Sequence, residues 1–231
     1  PCCIAMIRSH MSPGQVAAAA RKEVGQLLRH VEEKHAGLVR TCPKVGDDRL
    51  LRRSGHFTTR KGLQWVYVIT ATEGRITIYP LLWHATTTGI CALQVDAEGP
   101  ASYFQQHVMD RYLKRYLRQG DLRNALREFH LKNYDKVYLR HTYKGDENCC
   151  AAVIDDGYVA GEFQQKAALV YFRTFYDLVT GHRRFGDMRS ALTWRQALSK
   201  VQFQHAGRRQ APPEAWGRGY PRTVAEVRMA A

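Results

Sequence analysis

The chain has 231 residues, of which 45% are hydrophobic and 24% charged. That is enough apolar material for a sizeable core, and it excludes collagen-like, low-complexity and wholly disordered chains. Its 35 Lys+Arg against 21 Asp+Glu leave a formal charge of +14, which points to a polyanionic partner. No apolar run approaches the roughly 18–20 residues that cross a bilayer, so no transmembrane segment is expected.

Pro1 is an unusual first residue, and Ser9-His10-Met11 reads as a vector-derived or read-through stretch with Met11 as the start. Residues 1–7 are too short for the apolar core and cleavage site of a signal peptide. The first helix is expected over 14–35, where Val16, Ala19, Ala20, Val24, Leu27, Leu28 and Val31 recur at steps of three and four. Residues 40–55, with Pro43, Gly46, Asp47 and Asp48 followed by Arg49, Arg52 and Arg53, read as a basic linker.

From Gln64 the texture is β. Trp65 to Thr70 and Arg75 to Tyr79 form a hairpin about Glu73-Gly74, ending before Pro80. A third strand is expected over Thr87 to Val95, and Asp96 to Pro100 breaks the chain. Residues 103–119 form the strongest helix: Val108, Met109, Tyr112, Leu113, Tyr116 and Leu117 share an arc of about 180°. His107, Arg111, Lys114, Arg115 and Arg118 occupy a separate arc. Gly120 ends this helix, and Asp121 caps a second one carrying Leu122, Ala125, Leu126 and Phe129 on one stripe.

Strands follow at Lys136 to His141, Cys149 to Ile154, Tyr158 to Phe163 and Ala167 to Tyr176, with Asp155-Asp156-Gly157 as a turn. A last helix is expected over 188–204. The reading is an α+β fold, a mostly antiparallel sheet with helices packed on it. Its parts are an N-terminal helix and basic linker (1–55), a main domain (56–205) and an irregular tail (206–231). Within the main domain, 56–100 form a β subregion and 101–205 a basic α+β region.

Six cysteines include the adjacent pairs Cys2-Cys3 and Cys149-Cys150 and no CxxC motif, which fits reduced thiols in a cytoplasmic setting. Charge is concentrated: residues 107–145 hold ten Lys/Arg against four Asp/Glu, and residues 181–209 hold seven against one. Tyr112, Tyr116, Tyr134, Tyr138, Tyr143, Phe175 and Tyr176 interleave with these charges. Cations track phosphates and aromatic faces stack on unpaired bases, so nucleic acid is the favoured partner, RNA above DNA. Lys114, Arg118, Arg173, Tyr176, Arg183 and Arg184 are the expected contacts. An acidic protein or a membrane surface is the alternative partner of a non-enzymatic interaction protein.

His107, Arg111 and Arg115 form H-x3-R-x3-R, a row along one helical edge. Such a row holds a phosphate between guanidiniums while the imidazole moves a proton, or else simply solvates the helix. His56 and His84 flank the first β region, each beside threonines near a strand end, a position open to a catalytic role or to the two facing each other. No metal site or cofactor motif is present.

The H-x3-R-x3-R helix, the helix after it and the strands ending in Phe172-Arg173-Thr174-Phe175-Tyr176 resemble ribonuclease toxins of the RelE and BrnT type over residues 104–176. The chain is more than twice the usual length of that family and carries an extra β region before the match. The resemblance implies metal-independent RNA cleavage by attack of a ribose 2′-hydroxyl on its phosphate. His107 or His141 would then be the base or acid, with Arg111, Arg115 and Arg173 as phosphate clamps.

Overall fold

The structure is a computed structural model, and it describes residues 7, 10–41, 50–72, 75–96, 100–116, 121–140 and 149–177. The expected last helix, the irregular tail, His141, Arg118, Arg183 and Arg184 lie outside these residues. In chain order the elements are α1 (Pro13–Lys34), α2 (Ala36–Thr41), β1 (Leu51–Thr58), β2 (Gln64–Thr72), β3 (Arg75–Ala85), β4 (Ile90–Gln94) and β5 (Ala101–Phe104). There follow α3 (Gln106–Tyr116), α4 (Leu122–Asn133), β6 (Val137–Arg140), β7 (Cys149–Ile154), β8 (Gly157–Gln164) and β9 (Leu169–Asp177).

The fold is α+β. One nine-stranded sheet runs in the order β1-β2-β3-β4-β5-β9-β8-β7-β6. Every pairing is antiparallel except β5 with β9, where Ala101 to Phe104 run beside Leu169 to Phe172. That parallel pair joins the early and late strands into one sheet. The alternation of each strand sends its side chains to two opposite faces.

One face is covered by α1. Ser12 caps this helix, its Oγ accepting from the Gln15 N–H at 3.3 Å while Gln15 Oε1 accepts from the Ser12 N–H at 2.8 Å. Val16, Ala17, Ala20, Leu27 and Val31 then face Trp65, Tyr67 and Ile69 of β2 and Leu93 and Tyr103 beyond them. The other face is covered by α3 and α4, whose Val108, Met109, Tyr112, Leu126 and Phe129 bury against Val66, Leu81, Phe104, Phe172 and Phe175. Phe104 and Phe129 meet edge to face at 5.4 Å, and Tyr112 and Phe129 at 4.7 Å.

Three local readings of the sequence are corrected. Leu51 to Gly55, read as linker, belong to β1, paired in register with β2 from Leu51↔Ala71 to Thr58↔Gln64. The strand expected to stop before Pro80 runs through it to Ala85. Pairing of β3 with β4 starts only at Leu81, so Pro80 interrupts no ladder on that side, and its carbonyl accepts the Val95 N–H at 3.2 Å. Tyr103 and Phe104, read as the start of a helix, lie in β5, and α3 begins at Gln106.

Candidate nucleic-acid interface

The outer side of the α3–α4 layer carries cations because the inner side uses the apolar stripe. On α3, Val108, Met109 and Tyr112 are buried, whereas His107 and Lys114 are exposed and Arg111 is half-buried. Arg115 departs from this row: its guanidinium donates to Asp177 Oδ2 at the end of β9, so it anchors the helix to the sheet.

The late-strand residues lie elsewhere. Arg173 is the extra residue of a bulge, where Thr174 pairs with Ala160 and Phe172 with Gly161. It bonds Glu162 at 2.8 Å and lies 5.5 Å from the ring centroid of Tyr171, a ring that packs with the α1-side cluster. Tyr176 stacks on Tyr158 at 5.3 Å. Its cross-strand partner Tyr158 alternates with Val159, which faces α3 and α4, so both tyrosines point to the opposite face. Arg173 and Tyr176 are therefore separated from His107, Arg111 and Lys114 by the thickness of the sheet.

Further cations that sequence reading did not single out join α4 to β1. Arg123 is exposed and Arg127 half-buried on α4. Arg123 Nη2 reaches Gln64 Oε1 at 3.5 Å, an oxygen that also accepts from Thr58 Oγ1 at 3.2 Å. At the other end of both elements the Arg52 guanidinium lies 5.6 Å from the Tyr134 ring centroid. Thus α4 runs alongside β1, with Arg123 near Thr58 and Tyr134 near Arg52. His56 lies between, on the α4 side, because its partner Val66 belongs to the core under α4.

The field at this seam is positive. Burial, then Arg127 and Arg123, lower the His56 pKa, with Asp121 opposing and Lys34 adding slightly. On the other face of the sheet, His35 at the end of α1 packs against Tyr67, and its pKa is lowered by burial and then by Lys34, His30 and Arg53. The nearest compensating charge on α4 is the half-buried Glu128, 3.8 Å from Arg127, a pair of little strength where water reaches it.

His84 does not face His56. It points to the α1 side, where its Nε2 lies 3.3 Å from the Tyr103 hydroxyl, and burial lowers its pKa.

Beneath the C-terminal end of α4 lies a buried polar cluster that no sequence pattern marks. Lys136 Nζ donates to Gln94 Oε1, and Gln94 Nε2 donates to the Tyr134 carbonyl at 2.8 Å. Burial pushes the Asp96 carboxyl up to about 6 against the pull of Lys136. His130 Nε2 donates to the Tyr79 carbonyl at 2.8 Å, and burial holds its imidazole down at about 3. These groups fasten α4 to β3 and β4.

Several aromatic residues expected to stack on bases are core instead. Tyr112 is buried and its hydroxyl donates to Asp156, Phe175 is buried, and Tyr134 is covered by Arg52. Among the described residues no group of three or more His, Cys, Asp or Glu is placed to hold a metal ion, and no described helix is long and apolar enough to cross a membrane. What the surface offers chemically is a set of guanidiniums, an ammonium and two imidazoles on one side of the molecule. The chain matches no family model, no curated protein and no solved structure.

Proposed function

We propose that the chain binds nucleic acid, RNA above DNA, through the cations on the outer side of α3 and α4 and the adjoining side of β1. The observation that carries this reading is the alignment of α4 with β1. It gathers Arg52, His56, Arg123 and Arg127 at one seam, on the same face of the sheet as α3 with its exposed His107 and Lys114. Guanidiniums suit phosphate through paired hydrogen bonds. Because Tyr112, Tyr134 and Phe175 are committed to packing, recognition runs through phosphates, with little dependence on base sequence.

Cleavage is a second proposal, favoured by one observation: His107 is exposed on α3 with Arg111 one turn away. In the RelE and BrnT-like reading His107 moves a proton and Arg111 holds the phosphate, while Arg115 supports the helix through Asp177.

Both are tested by incubating labelled single-stranded RNA with the protein in EDTA, scoring retention and fragments together, alongside His107→Ala. Binding that weakens steeply with salt is the expected result. Fragments that vanish with His107→Ala support cleavage, and binding without fragments removes it. Absence of binding at low salt overturns the nucleic-acid reading and moves the basic surface to an acidic protein or a membrane.

A further inference from the structure

The seam between α4 and β1 has a register that places particular side chains together. Arg123 meets Gln64, the cross-strand partner of Thr58, and Tyr134 meets Arg52. The six strand steps between Thr58 and Arg52 cover about 20 Å. The eleven helical steps between Arg123 and Tyr134 cover about 17 Å. The two elements therefore keep pace. Arg127, one turn beyond Arg123, comes level with His56, two residues before Thr58 and on the same side of the strand.

We propose that His56, Arg123 and Arg127 form a phosphate subsite, seating one backbone phosphate of the bound nucleic acid with uptake of a proton by His56. The proposal rests on the nucleic-acid reading above for its occupant and on the α4–β1 register for its geometry.

The charged groups acting on His56 are Arg127 and Arg123 on α4, Asp121 just before α4, and, last, Lys34 at the end of α1 on the other face of the sheet. On the neighbouring strand its partner is the uncharged Val66. Burial first, and then three cations against one carboxylate, hold the ring toward its neutral form when the site is empty. A phosphate seated between the arginines reverses the sign of the nearest charge. Imidazolium becomes the favoured form, and the ring gains a hydrogen bond to a phosphate oxygen. The pairing of Arg127 with Glu128 is long, at 3.8 Å, and open to water, so it is weak enough for a phosphate to displace. Phosphate binding and protonation of His56 then favour each other by the same factor. Affinity should rise as pH falls through the range where His56 titrates in the complex.

The test is a histidine-ring NMR titration of the whole chain, with the His56 signal assigned by its loss in His56→Gln. Its midpoint is measured in chloride, in inorganic phosphate and with hexauridylate, at matched ionic strength. The expected result is a rise of about one pH unit, a tenfold preference, with either phosphate-bearing probe. That rise should be lost in the Arg123→Ala/Arg127→Ala protein. A midpoint that stays fixed while hexauridylate binds overturns the subsite and leaves the nucleic-acid reading standing. A midpoint that moves with inorganic phosphate, without hexauridylate binding, supports the subsite and overturns its nucleic-acid occupant. An equal rise in the double variant overturns the assignment of the arginines.

Discussion

The Arg52 guanidinium lies 5.6 Å from the centroid of the Tyr134 ring, tying the edge of the sheet to the C-terminal end of α4. The contact pins β1 against the helix and keeps a cation at the surface to which the proposed function assigns the phosphates. A cation–π contact of this kind contributes about 0.5–1 kcal/mol where it is exposed. Arg52→Ala should therefore lower stability by no more than that, and reduce the salt dependence of RNA binding by about one counterion. Arg52→Lys should keep the charge and most of the binding. Denaturant titration and anisotropy at several salt concentrations separate the two effects.

Arg115 and His107 lie eight residues apart on one helix and should behave differently. Arg115 is bound to Asp177, whose side chain is only 13% exposed, so Arg115→Ala leaves a mostly buried carboxylate without that partner. A stability loss of about 1–3 kcal/mol is expected. The exposed His107 has no such burden, and His107→Ala should stay within about 0.5 kcal/mol of the parent. Urea unfolding of both variants checks this, and a large loss for His107→Ala would assign it a packing role.

Two buried groups under α4 give opposite pH dependences. Asp96 sits at about 6 when folded, above its ordinary value of 3.8, so the folded state holds its proton more tightly. Its contribution favours folding at low pH and is lost as pH rises from about 4 to about 6. His130 sits at about 3 when folded, below 6.5, so stability falls as pH drops below about 6.5. Between pH 4 and 6 the two slopes oppose each other, each near 1.4 kcal/mol per pH unit at most. Asp96→Asn should leave the variant losing stability more steeply on acidification than the parent, and His130→Gln should do the reverse. Urea midpoints measured across this range test it; parallel profiles for the variants and the parent would contradict the assignment.

Gly161 sits opposite the bulge at Arg173, and a Cβ there would overlap the carbonyl oxygen of Tyr171, a backbone atom with no rotamer to yield. Gly161→Ala should cost about 1–3 kcal/mol. Gly25, with open space where a Cβ would go, lies within α1. Gly25→Ala should stabilise the helix by about 0.5–1 kcal/mol. Thermal melts of the two variants should move in opposite directions.

The elements read correctly from sequence are those whose own periodicity carries the information. The steps from Val16 to Val31 place the buried stripe of α1, and Val108, Met109 and Tyr112 place that of α3. Strands were missed where the pattern is interrupted by the residues' other roles. Leu51 to Thr58 is an edge strand whose arginines and His56 face solvent and helices, so no apolar alternation marks it. Ala101 to Phe104 is buried throughout and too short to alternate, and its parallel pairing with β9 joins residues 68 positions apart. The basic surface was half legible. The charges of α3 show on a helical wheel, whereas Arg123, Arg127 and His56 converge only through the packing of α4 on β1. Arg115 and Arg173 look equivalent to Arg111 in composition, and only tertiary structure shows Asp177 and Glu162 beside them.

The most direct test of the central claim is the salt dependence of single-stranded RNA affinity, comparing the parent with a Lys114→Ala/Arg123→Ala/Arg127→Ala protein. If phosphates are held on the outer side of α3 and α4, affinity should fall steeply with salt in the parent. The triple variant should show a slope shallower by about two to three counterions and a fold unchanged by circular dichroism. Equal slopes for the two folded proteins would contradict that placement.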